Sequence, residues 1–217
     1  MFTYQYAQPD AYHFSLDSIH LAEFVASQLQ SRSDLASLRV LDLCAGCGVI
    51  GLELSWYVRA LRQFDFVEVQ ETYTPYFNKN MAIVNRPELQ LCWHPMNYDE
   101  LQDKQWKEKF DLIVSNPPYF QQGQGMLSPS EFKNRCRFFL DSNFTNFIYA
   151  ISNSLKCGGQ AYFLLRPLLH HGTDLFSELQ KILVPMDLIA RKITQLRGTD
   201  VILLEKNIRD SFGFSHS

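Results

Sequence analysis

The chain has 217 residues, 46% of them apolar and 14% aromatic, with a formal net charge of −3. That length and composition fit one ordinary domain with a sizeable core and exclude a disordered chain. The charge excludes a protein that is basic over its whole surface, so any nucleic-acid contact must come from a local patch.

No apolar run approaches the ~20 residues of a membrane helix. Met1 to Tyr6 lacks the basic and apolar regions of a secretory signal. Five cysteines in such a chain read as reduced thiols in a cytoplasm.

Residues 1–14 have no clear period and read as an irregular arm. Ser15 to Ser18 offer helix caps, and Ile19, Leu21, Ala22, Phe24, Val25 and Leu29 follow with helical spacing to about Gln30. Arg39 to Leu43 is a short apolar strand that runs into Cys44-Ala-Gly-Cys-Gly48 and then a helix from Val49. Phe64 to Val69 is the next strand, with acidic Glu68 near its end, and a helix over 72–85 tolerates Pro75 in its first turn.

Leu89 to Trp93 is a third strand, followed by a loop at Asn97-Tyr-Asp99. Phe110 to Ser115 is a fourth, followed by Asn116-Pro-Pro-Tyr119. Residues 120–129 read as a loop, and Lys133, Arg135 and Arg137 form a basic cluster. Phe144 to Leu155 has helical spacing, with Gly158-Gly159 as its expected end. A strand over 161–165, a helix over 175–183 and two strands over 187–194 and 201–205 joined through Gly198 complete the chain. Alternating strands and helices predict an α/β fold: a mostly parallel, doubly wound sheet closed by an antiparallel C-terminal hairpin. We expect one domain over 1–217, with an arm and helix over 1–30 and the core over 39–206.

Two stretches carry chemistry. Strand, glycine-rich loop, helix is the nucleotide-binding unit of doubly wound sheets. Glu68 lies about 20 residues beyond that loop, where such folds place a carboxylate for ribose hydroxyls. At the end of the fourth strand, Pro117 and Pro118 fix their own φ and hold the chain extended. The result is a stiff shelf that presents the Asn116 side-chain oxygen and the Pro117 carbonyl beside the face of Tyr119. Acceptors beside an aromatic plate suit a planar amine.

Blander readings apply elsewhere. Cys44-x-x-Cys47 lacks the second pair a structural zinc site needs, so we expect no metal. Cys92 and His94 read as packing, His170-His171 as a solvated turn, and Phe138-Phe139 as core. The cluster Lys133, Arg135, Arg137 is either a solvated face or a phosphate contact. Asp17 and Ser18 are first of all helix caps.

Asp42-x-x-Ala-Gly-x-Gly48, the acidic Glu68 and Asn116-Pro-Pro-Tyr119 together resemble class I S-adenosylmethionine (SAM)-dependent methyltransferases acting on planar nitrogen, with a Rossmann-like core. More narrowly, Ser115 to Gly123, Pro129 with the basic stretch after it, and the opening Phe14-Ser-Leu-Asp-Ser18 are similar to the bacterial tRNA adenine-N6 methyltransferases that modify the adenine 3′ of a valine tRNA anticodon.

The resemblance implies SAM as methyl donor and tRNA as partner. It implies SAM contacts from Asp17, Asp42, Cys44, Ala45, Gly46, Gly48, Glu68, Asn97 and Asn116. The catalytic shelf would be Asn116, Pro117, Pro118 and Tyr119. Substrate contacts would come from Tyr119, Gln121, Gln122, Lys133, Arg135 and Arg137.

Two positions depart from the family pattern: Cys44 replaces its usual Gly and Asn97 its usual Asp. A protein glutamine methyltransferase is the first alternative, since a side-chain amide is also a planar nitrogen with two protons. DNA adenine or rRNA guanine methylation and an inactive SAM-binding scaffold complete the set.

Overall fold

The structure is a computed structural model that describes residues 3–120, 126–167, 169–170 and 173–207. The strands of its main sheet are β1 (Arg39–Leu43), β2 (Gln63–Glu68), β3 (Gln90–Pro95), β4 (Phe110–Ser115), β5 (Leu155–Leu165), β6 (Leu188–Leu196) and β7 (Thr199–Lys206). They form one sheet in the order β3-β2-β1-β4-β5-β7-β6. The first five run parallel; β7 is antiparallel to β5, and β6 is antiparallel to β7. The predicted doubly wound sheet with its terminal hairpin is therefore present.

Helices α1 (Leu16–Gln28), α2 (Val49–Tyr57), α3 (Thr74–Val84), α5 (Phe144–Ser154) and α6 (Leu175–Leu183) match the periodic segments of the sequence. Alternation along each strand divides the core in two. Val40, Phe64, Phe66, Leu112 and Val114 face α1, α2 and α3. Leu41, Leu43, Val67, Ile113 and Phe163 face α5 and α6. Strands buried on both faces read as nearly unbroken apolar runs for that reason.

Three features differ from expectation. A further helix, α4 (Glu131–Arg137), carries the basic cluster; seven residues with a charge at every second position hold too little apolar periodicity to announce a helix. The Gly158-Gly159 pair does not end α5. The chain turns extended already at Leu155, and the glycines lie in β5, where the register jumps from Phe110–Leu155 to Leu112–Gln160. His170 belongs to a two-residue strand pair, Leu169–His170 with Thr173–Asp174, and His171 lies outside the described residues. The β6–β7 turn uses Arg197 (φ 51°) and Gly198 (φ 84°), both left-handed, which matches the right-handed twist of the strands.

Buried polar groups tie the periphery to the sheet. The N-terminal arm is fixed by Tyr6, whose hydroxyl donates to Glu53 at 2.7 Å, and by Asn80 of α3, which accepts from the Ala7 N–H at 2.7 Å. Asn80 also donates to the Cys47 carbonyl at 3.0 Å, so one amide holds both the arm and the glycine loop.

Asp65 clips three strands together. Its Oδ2 accepts from Arg39 Nε at 2.7 Å and its Oδ1 from Arg39 Nη2 at 2.9 Å, and His94 Nε2 lies 2.7 Å from the same Oδ1. Burial pushes the Asp65 carboxyl up, but the bonds from His94 and Arg39 outweigh it and hold the group below the ordinary carboxylate range. Its stabilisation is therefore complete at neutral pH and is lost as pH falls through that lowered value.

Asp65→Ala should cost roughly 2 kcal/mol at pH 7, because the bonds involve charged groups and the carboxylate is buried. In urea unfolding, the gap to wild type should narrow below pH ~4. A pH-independent gap would show that the ion pairs are not its source.

Candidate active site

The loop after β1 is shaped by three left-handed residues: Cys44 at φ 58°, Gly46 at 55° and Gly48 at 85°. Cys44 therefore adopts the conformation a glycine would take freely; an L-residue there costs about 1–2 kcal/mol. Gly48 has a second reason to be glycine, since a Cβ would stand 2.7 Å from a ring carbon of Phe77. Asp42 is fully buried behind the loop and accepts from the Gly51 N–H at 2.8 Å. Its other oxygen, Oδ1, has no hydrogen-bond partner among the described residues, and burial pushes the carboxyl well up from its ordinary range.

Glu68 faces the loop from the end of β2. Its two oxygens accept from the backbone N–H groups of Gly46 and Gln70, each at 2.9 Å. Burial raises its pKa, with those two bonds and Arg135 opposing and Asp141 adding to the rise. Gln70 itself is 4% exposed; its Nε2 donates to the Cys136 sulfur at 3.3 Å, and its Oε1 is buried with no partner among the described residues.

A cavity opens at the carboxyl ends of the parallel strands. Cys44, Ala45 and Gly46 line it from β1, Glu68 and Gln70 from β2, and Met96 and Tyr98 from β3. Asn116, Pro118 and Tyr119 line it from β4, and Arg166 from β5. The segment formed by α4 and the residues after it completes the wall with Arg135, Cys136, Phe139 and Asp141.

Asn116 is held on both sides. Its amide nitrogen donates to the hydroxyl of Ser18 at 2.9 Å and reaches that of Ser15 at 3.5 Å, while its oxygen accepts from the Tyr119 hydroxyl. The opening Phe14–Ser18 motif is thus a clamp on the shelf. The Tyr119 and Phe120 N–H groups both donate to the Arg137 carbonyl, at 3.0 and 2.9 Å, so the shelf is also stapled to the end of α4. Tyr119 is buried; burial pushes its phenol up to about 12 against the pull of Arg166. The Arg166 guanidinium lies 4.4 Å from the Tyr119 ring centroid.

Several expected contacts are placed differently. Asn97 does not line the cavity: its side-chain oxygen accepts from the Asp99 N–H at 3.0 Å and its nitrogen donates to the Asp141 carbonyl at 2.8 Å, so the amide is spent on a helix-type cap. Met96 and Tyr98 face the cavity in its stead. Asp42, behind the loop, and Gly48, at its end, do not line the cavity. Asp17 lines a neighbouring groove, its carboxylate 3.7 Å from Arg197 Nε.

Of the basic cluster, Arg135 is neutralised by Asp141 at 2.8 Å and faces the cavity, and Arg137 packs its guanidinium on Phe120 and Phe138. Lys133 is half-buried in α4. Gln121 and Gln122 lie outside the described residues. Gln70, Met96 and Arg166 line the cavity and were missed by motif reading. Their signal was positional: each follows the end of a parallel strand, where such sheets bind ligands.

The methyltransferase small-domain family model matches residues 12–143. The chain is 26% identical over 181 residues to a tRNA1(Val) (adenine(37)-N6)-methyltransferase of Christiangramia forsetii, spanning 82% of this chain and 70% of that protein. It is 31% identical over 108 residues to the enzyme of the same name from Escherichia coli O157:H7, which covers 48% of this chain and 41% of the relative. Among solved structures, a ribosomal protein L11 methylase of Lactobacillus delbrueckii subsp. bulgaricus superposes with a TM-score of 0.61 at 13% identity, over 90% of this chain and 81% of that one. At that identity the likeness is one of fold.

Gly48→Ala should cost at least about 2 kcal/mol in urea unfolding, since it combines a left-handed backbone with a clash against the Phe77 ring. A variant within ~0.5 kcal/mol of wild type would mean the loop can move away from Phe77.

Proposed function

Because the chain belongs to the methyltransferase small-domain family, we propose that it methylates the 6-amino group of an adenine in tRNA with SAM as the donor. The observation that carries the reading is that Asn116, Pro118 and Tyr119 of the shelf line the same cavity as Glu68 and the left-handed loop.

The cavity suits SAM. The Glu68 carboxylate is fixed by two backbone donors and has lone pairs left for ribose hydroxyls. The orphaned Gln70 Oε1 offers an acceptor to an N–H or O–H, and Met96 and Phe139 supply apolar wall for a base. Ala45 and Gly46 bring backbone within reach of the methionine part. Bound SAM supplies a methyl group already activated by its sulfonium, so the protein's task is positioning rather than strong base catalysis.

Asn116 performs that positioning. An aryl amine is a poor nucleophile because its lone pair is shared with the ring. If the Asn116 side-chain oxygen and the Pro117 carbonyl accept its two protons, the nitrogen becomes pyramidal and its lone pair is directed. The Ser18 and Ser15 contacts fix which end of the Asn116 amide faces Tyr119, and the prolines keep the shelf from yielding. Tyr119 is the stacking surface for a base splayed out of the RNA. Lys133 and Arg137, with Gln121 and Gln122, are proposed to meet the RNA around it.

Asn116→Ala should reduce methyl transfer at least ~100-fold while leaving SAM affinity, measured by calorimetry, within a few-fold of wild type. The substrate is tested by incubating the protein with labelled SAM and separate pools of tRNA, rRNA, DNA and release-factor protein, then locating the label by mass spectrometry. Label on N6 of a tRNA adenine supports the reading; label on a glutamine side chain would replace it.

A further inference from the structure

We propose that Arg166 and Arg197 form a phosphate-binding groove that holds the nucleotide backbone beside the target base, an inference that rests on the RNA reading above. Arg166 leaves the end of β5, the strand next to the shelf, and lines both the cavity and a second groove that opens alongside it. That groove is bordered by Ser15 and Asp17 of the clamp on Asn116, and by Arg197, Gly198 and Thr199 of the β6–β7 turn. A base that enters the cavity beside Asn116 and Tyr119 therefore brings its own sugar-phosphate to the rim where Arg166 stands.

The state of the two arginines supports this use. Among the described residues Arg166 makes no ion pair and its buried Nε has no hydrogen-bond partner. Its guanidinium carbon lies over the Tyr119 ring, 4.4 Å from the centroid, a contact that uses none of its N–H donors on another acceptor and leaves them to an anion. Arg197 is 55% exposed and is held out by a left-handed turn residue's backbone, with φ 51°. Among the described residues it pairs with Asp17, 3.7 Å away and only 10% exposed, a loose pair that orients the guanidinium while leaving most of its donors to the groove.

The basic helix α4 is less suited to this task. The Arg135 charge is spent on Asp141, and none of Lys133, Arg135 and Arg137 borders this groove. A guanidinium held over the Tyr119 ring also discriminates: it favours a phosphate next to a flipped base over a neutral peptide flanking a glutamine. The groove thus deepens the substrate assignment, since it gives the site a reason to prefer a nucleotide chain.

The test compares wild type, Arg166→Ala, Arg166→Lys and Arg197→Ala on an unmodified tRNA transcript and on a glutamine-containing release-factor substrate. Arg166→Ala and Arg197→Ala should each raise the tRNA KM about 10-fold and lower the salt slope of RNA binding by about 0.7 per lost phosphate contact. SAM affinity should stay within about 2-fold. Arg166→Lys should recover part of the loss, since the charge remains but the planar fork does not.

Unchanged tRNA KM and salt slope in both alanine variants, with wild type active on tRNA, would overturn the groove alone. So would a loss confined to SAM affinity, which would make Arg166 a cofactor residue, or faster turnover in Arg166→Ala, which would make it an obstruction. A wild type active only on glutamine would overturn the RNA reading and the groove with it.

Discussion

Leu43 and Ser115 are partners on the last rung of the β1–β4 pairing, and the Ser115 hydroxyl donates to the Leu43 carbonyl at 2.5 Å. Everything that follows depends on that parallel register. Two parallel neighbours release their chains at the same edge of the sheet, so the left-handed loop and the Asn-Pro-Pro-Tyr shelf must stand side by side. β2 adds Glu68 on one flank and β5 adds Arg166 on the other by the same rule. The site is a consequence of strand order before it is a matter of side chains.

Local strain and packing then set its shape. Cys44 shows what the loop demands: the backbone is left-handed at a residue that resists it, and the surrounding contacts impose it. Gly48 is excluded from carrying a side chain by Phe77, and the Asn80 amide holds the loop from below while also anchoring the N-terminal arm. Residues far from the cavity thus fix atoms within it. On the other side, the Ser15 and Ser18 hydroxyls turn the start of α1 into a support for Asn116; the Ser15 side chain makes no cap bond to the helix, so the expected capping residues are spent on the shelf instead.

Charge is distributed differently from what a linear reading suggests. Lys133, Arg135 and Arg137 stand together in sequence, yet Arg135 points at Asp141 and Arg137 lies on aromatic rings. Arg166 and Arg197 are 31 positions apart and border one groove. Helical geometry separates neighbours in the first case, and the antiparallel return of the hairpin brings distant residues together in the second.

The order of strands and helices, the glycine loop, Glu68 and the Asn-Pro-Pro-Tyr segment were legible in the sequence. Each is written locally, as apolar periodicity, a run of small residues or a pair of prolines. α4 and the early start of β5 were not, because a short charged helix has little period and a glycine pair can mark either a helix end or a bulge. The role of Asn97 was also hidden: whether an amide faces a ligand or caps a turn depends on which backbone groups approach it, here Asp99 and Asp141. The sequence by itself determined which chemical groups the protein brings to the edge of its sheet. Only the tertiary structure decided which of them face the cavity and which are spent on one another, because buried polar groups must find partners wherever the fold has put them.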